Sequence, residues 1–251
     1  MNDNKAIVRE LGKNYKKCIT SHPLGHTVNL MLAKEQHAKY CQLLTELGLE
    51  LIKLPAKDDY PDSCFVEDNA VVYKKKAFIT RMGAESRRGE EDDVGEILRE
   101  YFKVGKATAP ATIEGGDVVH LPQRLLCGIT QRTNLMGVTQ MKEWFNVRVD
   151  TITNTSIVHL KSYMKYLGHN KIITTNEYEK HPLLEELELI IIPKEESYSV
   201  NCLAINDNVI MSNKFLYAQE KVKNAGFIVY SLNMSEFEKC QASLTCLSII
   251  F

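Results

Sequence analysis

Two short segments hold the residues best suited to making and breaking bonds. Cys246 lies in Ser243-Leu-Thr-Cys-Leu-Ser-Ile-Ile250, and His159 in Ile157-Val-His-Leu-Lys161. Each has an ordinary reading alone: a free cysteine usually fills a core strand, and a single histidine usually satisfies a core hydrogen bond. Brought together, a thiol and an imidazole make a thiolate near neutral pH, a nucleophile with its own acid–base partner. A third segment, Ile113-Glu-Gly-Gly-Asp-Val118, sets carboxylates on both sides of consecutive glycines, which permit close backbone approach. A fourth, Asp62-Ser-Cys-Phe-Val-Glu-Asp68, places Asp62, Glu67 and Asp68 around a short apolar stretch that includes Phe65. Solvated loop acids explain either segment. A cationic ligand explains both, because carboxylates near a strand are costly unless they are paired. Arg81, Arg87, Arg88 and Arg132 read singly as surface residues. Arg87 and Arg132 occupy equivalent loops after paired strands, where together they suit bidentate capture of a carboxylate. The ligand that fits carries a carboxylate at one end and a planar cation at the other, as arginine and its derivatives do.

These groups span some 180 residues, so only a fold that gathers distant segments can assemble them. The spacing of Leu30, Ala33, Tyr40, Cys41, Leu44 and Leu47 predicts a helix over 28–47, stopped at Gly48 and followed by a strand over 49–54. A pattern then recurs. Strands over 70–73 and 77–80 precede a helix over 90–102. Strands over 117–121 and 125–130 precede a helix over 134–145 and a strand over 147–152. A third unit runs from Ile157 through strand 171–175 and a short helix over 182–188 to strand 189–192. A fourth has strands 202–205 and 209–211, helix 214–225 and strand 227–232. Ala70, Val118, Val158, Cys202 and Cys246 mark the units at intervals of 48, 40, 44 and 44 residues, the sign of a repeated supersecondary unit. The fifth unit begins at 244–251 and needs the N-terminal strand, helix and strand 49–54 to complete it. Ends that share one repeat describe a closed ring, in which the unit starts converge on one side of the axis. The expectation is one domain over 1–251; an irregular α/β fold with coincidental spacing is the alternative.

Composition is that of an ordinary globular chain: 251 residues, 44% hydrophobic, 25% charged, net charge −1. No basic excess points to nucleic acid. Met1–Glu10 lacks the apolar core of a secretion signal, and Leu189–Ile192 is far too short to cross a membrane. The seven cysteines form no C-x-x-C pair and no zinc-ligand spacing with histidine. The expectation is therefore free, mostly buried thiols in a reducing cytoplasm, without a disulfide framework.

Six motifs occur in an order that resembles the dimethylargininases (dimethylarginine dimethylaminohydrolases): Pro61–Asp68, Thr80–Arg88, Glu114–Asp117, Gly128–Asn134, His159–Ser162 and Leu244–Ser248. Ala6–Arg9 and Glu35–His37 match as well, so the resemblance covers essentially the whole chain. It implies the five-bladed α/β propeller of ββαβ pseudo-repeats, closed by the N- and C-termini, of the guanidine-modifying enzymes. It also implies Cys246 as nucleophile, His159 as general acid and base, and Glu114 as the carboxylate that orients the imidazole or the guanidinium. Asp62, Phe65, Glu67 and Asp68 would hold the substrate's amino end and guanidinium, and Arg87 and Arg132 its α-carboxylate. Cys240 would contribute through its main chain, and Ile19 or Thr20 from a lid loop over 18–27.

The implied reaction converts asymmetric dimethylarginine or monomethylarginine to citrulline and dimethylamine or methylamine through a covalent cysteine intermediate. It needs no metal or other cofactor, and no partner besides the small-molecule substrate. The chain would be a monomer or homodimer, free of nucleic acid and membrane. Arginine deiminases are the first alternative. They carry Arg-Asp where this chain has Glu67-Asp68, and His-x-Asp where it has His159-Leu-Lys161. A non-catalytic propeller would lack the Cys, His and Glu set.

Overall fold

The computed structural model describes residues 4–251. Strand β1 (Lys5–Arg9) leads through a long loop to helix α1 (Leu30–Glu46) and strand β2 (Glu50–Leu54). The Asn29 side chain accepts from the backbone N–H of Met31 and Leu32 and caps α1; Gly48, at φ +92°, turns the chain out of it. Next come β3 (Ala70–Tyr73), β4 (Lys76–Ile79), α2 (Glu91–Tyr101) and β5 (Lys103–Lys106), then β6 (Val118–His120), β7 (Arg124–Ile129), α3 (Leu135–Phe145) and β8 (Arg148–Thr153). The third repeat has β9 (Met164–Gly168), β10 (Lys171–Thr175) and β11 (Glu188–Ile192). The fourth has β12 (Leu203–Ile205), β13 (Asn208–Ser212), α4 (Leu216–Asn224) and β14 (Ile228–Leu232). A short α5 (Ser235–Glu238) and β15 (Ile249–Ile250) end the chain.

The strands form five three-stranded sheets: β3-β4-β5, β6-β7-β8, β9-β10-β11, β12-β13-β14 and β15-β1-β2. In each, the first strand is antiparallel to the middle one, and the middle one is parallel to the third. This is the five-bladed α/β propeller. Its fifth blade pairs Ala6 with Ile250 and Ile7 with Ile249, so the two ends of the chain close the ring as expected. Leu11, Tyr15 and Tyr40 pack with Phe237, Leu244 and Leu247 in one buried cluster across that closure.

Three details differ from the expected elements. Residues 103–106 form β5, although a lysine stands at each end and a glycine inside, so no apolar run announces it. The third blade's inner strand starts at Met164, after a 3₁₀ turn at Leu160–Ser162, rather than near Val158. The helix expected over 182–188 is only a 3₁₀ turn at Pro182–Leu184, which follows another at Asn176–Tyr178.

The segment before each inner strand turns sharply, and the turns pack against one another around the axis. Gly115 lies against the Glu67 carbonyl oxygen so closely that a Cβ would overlap it. Replacing Gly115 by alanine is expected to destabilise the fold by about 1–3 kcal/mol, as overpacking does, which a urea-unfolding midpoint checks.

Candidate active site

The turns at the N-terminal ends of the inner strands carry the reactive groups: Glu67 and Asp68 before β3, Glu114 and Asp117 around the turn into β6, His159 before β9, Asn201 before β12 and Cys246 before β15. Closing the ring faces these turns toward one another, so residues far apart in sequence share one wall.

His159 Nε2 donates to Glu114 Oε2 at 2.7 Å and lies 3.7 Å from Asp68 Oδ1. Glu114 is fully buried. Its Oε1 accepts from the Gly83 N–H at 2.9 Å, with Arg132 Nη1 at 3.9 Å. Asp68 accepts from Arg87 Nη1 at 2.8 Å and from the Gly116 N–H at 3.0 Å. A Cβ on Gly116 would lie 2.8 Å from both Asp68 Oδ1 and the His159 ring, so the second glycine admits the acid and the imidazole together. Burial works against ionisation of all three groups, but mutual attraction wins. Beside Asp68, Glu114 and Asp117, His159 is raised to about 9. The carboxyls of Asp68 and Glu114 are held below their ordinary range by His159 and Arg87. Since His159 Nε2 is engaged by Glu114, Nδ1 is the ring nitrogen left to meet a ligand.

Asp117 acts behind this set. Its carboxylate accepts from the Thr130 and Thr133 hydroxyls at 2.9 and 2.6 Å and from the Leu160 N–H at 2.9 Å. It thereby ties the turn before β6 to the residue after His159. Burial pushes it up to about 6.

Cys246 is buried, and its Sγ lies 3.9 Å from Asn201 Nδ2. Asn201 Oδ1 accepts from the Thr245 N–H and hydroxyl, and its backbone carbonyl accepts from the Ser243 hydroxyl, so one residue braces the whole Cys246 turn. The expectation of a thiolate made by direct Cys–His pairing is not met. No hydrogen bond joins Cys246 to His159 among the described residues, and burial together with Glu67 and Asp68 pushes the thiol up to about 12.

Arg87 also differs from expectation. It is buried, and its Nε and Nη2 bind Glu90, its Nη2 the Phe65 carbonyl and its Nη1 Asp68, which leaves one N–H near Glu114. Arg132 is freer, its side chain 17% exposed. Asp62 accepts from the Ile19 N–H at 3.1 Å, which brings the 18–21 loop against the site. Phe65 packs edge-on against Tyr15 beneath that loop. Glu67 Oε1 accepts from Lys161 Nζ at 2.6 Å, while Oε2 is buried without a partner. Lys161, Glu90 and the bracing role of Asn201 were not assigned from sequence. Lys161, buried and immediately after Leu160 in the His159 motif, was the one with a positional signal.

The free-thiol expectation fails at one pair. Cys18 and Cys240 form a disulfide with Cα atoms 5.9 Å apart, across 222 residues. No local spacing could announce it, because only ring closure brings 18 to 240. The other five cysteines are free and buried. The bond pins the 18–21 loop to the segment ahead of Cys246, where Thr20 Oγ1 also donates to the Lys239 carbonyl and the Ser21 N–H to Gln241.

Asp68, Glu114 and His159 bring donor atoms within 4.8 Å of one another, a spacing compatible with a metal ion. The Arg87 guanidinium, 2.8 Å from Asp68 and 3.8 Å from Glu114, already supplies positive charge there, so a metal cation would meet a resident one.

The family model described as "N,N dimethylarginine dimethylhydrolase, eukaryotic" matches residues 14–218. The chain belongs to this family. It is 33% identical over 250 residues to the N(G),N(G)-dimethylarginine dimethylaminohydrolase of Pseudomonas aeruginosa, covering 98% of each chain. It is 32% identical to the enzyme of that name from Streptomyces coelicolor, covering 99% of this chain and 97% of the relative. The structure of the Pseudomonas aeruginosa protein, a Cys-to-Ser mutant complexed with citrulline, matches with a TM-score of 0.96 at 32% identity over all of both chains. The N-terminal domain of ArgZ, a cyanobacterial arginine dihydrolase, shares the fold with a TM-score of 0.89 at 20% identity, over 99% of this chain and 97% of that domain. No helix among the described residues is long and apolar enough to cross a membrane.

Two outcomes follow from the dimethylargininase-family site. His159 sits near 9 in the fold against an ordinary 6.5, so its stabilising charge is fully present below pH 6.5 and lost as pH rises through 9. The urea midpoint should fall across that window, and His159→Gln should flatten the fall. Reducing the Cys18–Cys240 bond should speed limited proteolysis between 18 and 27 and leave the propeller core resistant.

Proposed function

We propose that this chain hydrolyses asymmetric dimethylarginine and monomethylarginine to citrulline, releasing dimethylamine or methylamine through a covalent Cys246 intermediate. The observation that carries the reading is a buried thiol on the same ring of turns as two buried carboxylates, Asp68 and Glu114, and a Glu114-bound imidazole, in a chain of the dimethylargininase family. Arg132 and the remaining Arg87 N–H meet the substrate α-carboxylate. Asp62, the Ile19 loop, Phe65 and the Cys240 main chain border its amino end. The unpartnered Glu67 Oε2 and Asp68 take the guanidinium.

The acids raise the thiol, and a bound cation cancels their effect. The substrate therefore brings its own activation: its guanidinium lowers the thiol, whose proton passes to solvent, and the Cys246 thiolate bonds to the central carbon as that carbon's C=N double bond becomes single. The bond from carbon to the methylated nitrogen breaks, and His159 Nδ1 delivers the proton that the leaving amine needs. The planar thiouronium that remains is attacked by water, which gives its proton to the now neutral His159. The carbon–sulfur bond then breaks, releasing citrulline and Cys246. Glu114 keeps the imidazole oriented through both halves.

The same reading makes 1–251 one catalytic domain, working as a monomer or homodimer in the cytoplasm. Five buried free thiols suit a reducing compartment, where the Cys18–Cys240 bond would be opened. Gel filtration tests the oligomeric state, and non-reducing peptide mapping of protein from intact cells tests the compartment.

Purified protein should be given asymmetric dimethylarginine, monomethylarginine and arginine side by side, with citrulline measured. Both methylated substrates should turn over faster than arginine; turnover of arginine alone would replace this reading with an arginine deiminase. Cys246→Ser should lower turnover by roughly 10⁴-fold or more, while Cys202→Ser remains active. Alkylation of Cys246 should be slow at neutral pH in the free protein. An unreactive alkylamidinium ligand should shift its pH profile downward, and an unchanged profile would remove substrate-assisted activation.

A further inference from the structure

The ring axis opens into a cavity of about 640 Å³, lined mostly from the end away from the reactive turns. The active-site groups precede the inner strands. This cavity is lined instead by residues within and beyond them, among them Tyr73, His120, Leu167, Asn206 and Ile250. Its volume lies in the range of small-molecule sites, roughly 300–1,000 Å³.

Its charge is one-sided. Lys74, Lys75, Lys161 and Lys165 line it, and Glu67 is the single acidic side chain that does. Lys161 is neutralised by Glu67. Lys74, Lys75 and Lys165 have no ion-pair partner among the described residues; Lys74 lies instead over the Tyr73 ring, 5.2 Å from its centroid. The Tyr73 hydroxyl is buried with no hydrogen-bond partner. His120 uses Nε2 on the Val72 carbonyl, 2.9 Å away, which leaves Nδ1 without a protein partner. Lys74, Lys75 and His120 are exposed and Lys165 is half-buried. Cations gathered at a concave site with low-dielectric walls focus the field and concentrate anions.

We infer that this cavity binds a small polyanion, held by Lys74, Lys75 and Lys165. Phosphate-bearing and polycarboxylate metabolites share the required chemistry. Glu67 and Lys161 line this cavity and Glu67 stands among the reactive turns, so their pair forms the partition between the polyanion and those turns.

Calorimetric titration of the intact chain with pyrophosphate and with citrate tests the inference, and because it reads binding, it is independent of the activity proposed above. At least one probe should bind saturably and more weakly as salt is added. Its dissociation constant should rise by about tenfold or more in a Lys74→Ala/Lys75→Ala/Lys165→Met variant. Preference for pyrophosphate identifies a phosphate-bearing ligand, and preference for citrate a polycarboxylate. The single Lys165→Met variant, with the thermal midpoint of each protein measured with and without probe, guards against a loss that is only unfolding. No saturable binding of either probe to the wild-type chain, or equal binding to a folded variant, overturns the inference.

Discussion

Asp68 and Glu114 are buried carboxylates facing one imidazole, and burial by itself would protonate both. They stay ionised because Arg87 and His159 supply positive charge, Arg132 adds to it near Glu114, and the N–H groups of Gly83 and Gly116 donate to them. Much of the local architecture serves that balance. Arg87 is held by Glu90 and the Phe65 carbonyl, so its guanidinium cannot swing away from Asp68. Gly116 leaves the space in which an acid and a ring meet, and Asp117 fastens the turn that carries His159. Removing one member exposes the others to the full cost of burying an unpaired charge.

The same acids set the character of the thiol. A cysteine among ionised carboxylates keeps its proton, and a protonated thiol is a poor target for oxidants and stray electrophiles. On the proposed reading, reactivity is tied to the arrival of a cation. A neutral isostere of the substrate would reach the same pocket without changing the field at sulfur. Discrimination of this kind rests on charge, and the 18–21 loop, held by Asp62, the Lys239 carbonyl and Gln241, adds a steric boundary to it.

The fold was legible in the sequence because each blade repeats one pattern of strands and helix, and because the last strand lacked partners unless the first supplied them. Cys246, His159 and Glu114 could be singled out since they fall at equivalent points of the repeat. What sequence pattern could not reveal is contact across the ring. The Cys18–Cys240 bond and the Lys161–Glu67 pair join residues from different turns with no periodicity linking them, and although Asn201 and Thr245 fall one repeat apart, the brace between them shows only in the assembled ring. β5 was missed for a local reason: a short strand with lysine at both ends and a glycine inside has no alternation to detect. Direct pairing of thiol and imidazole is a general rule, and it gave way here to acids that only the assembled site places beside sulfur.

The closure of the ring by β1 and β15 has a consequence for how the protein is made. Those strands pair Ile7 with Ile249, nearly the full length of the chain apart, and Cys246 sits three residues ahead of that junction. Contacts of such sequence separation carry the largest loop-closure cost and form late. The first four inner strands can assemble before β15 is made, whereas the Cys246 turn takes its place only when β15 pairs with β1. A ring that lacks β15 therefore lacks the thiol as well.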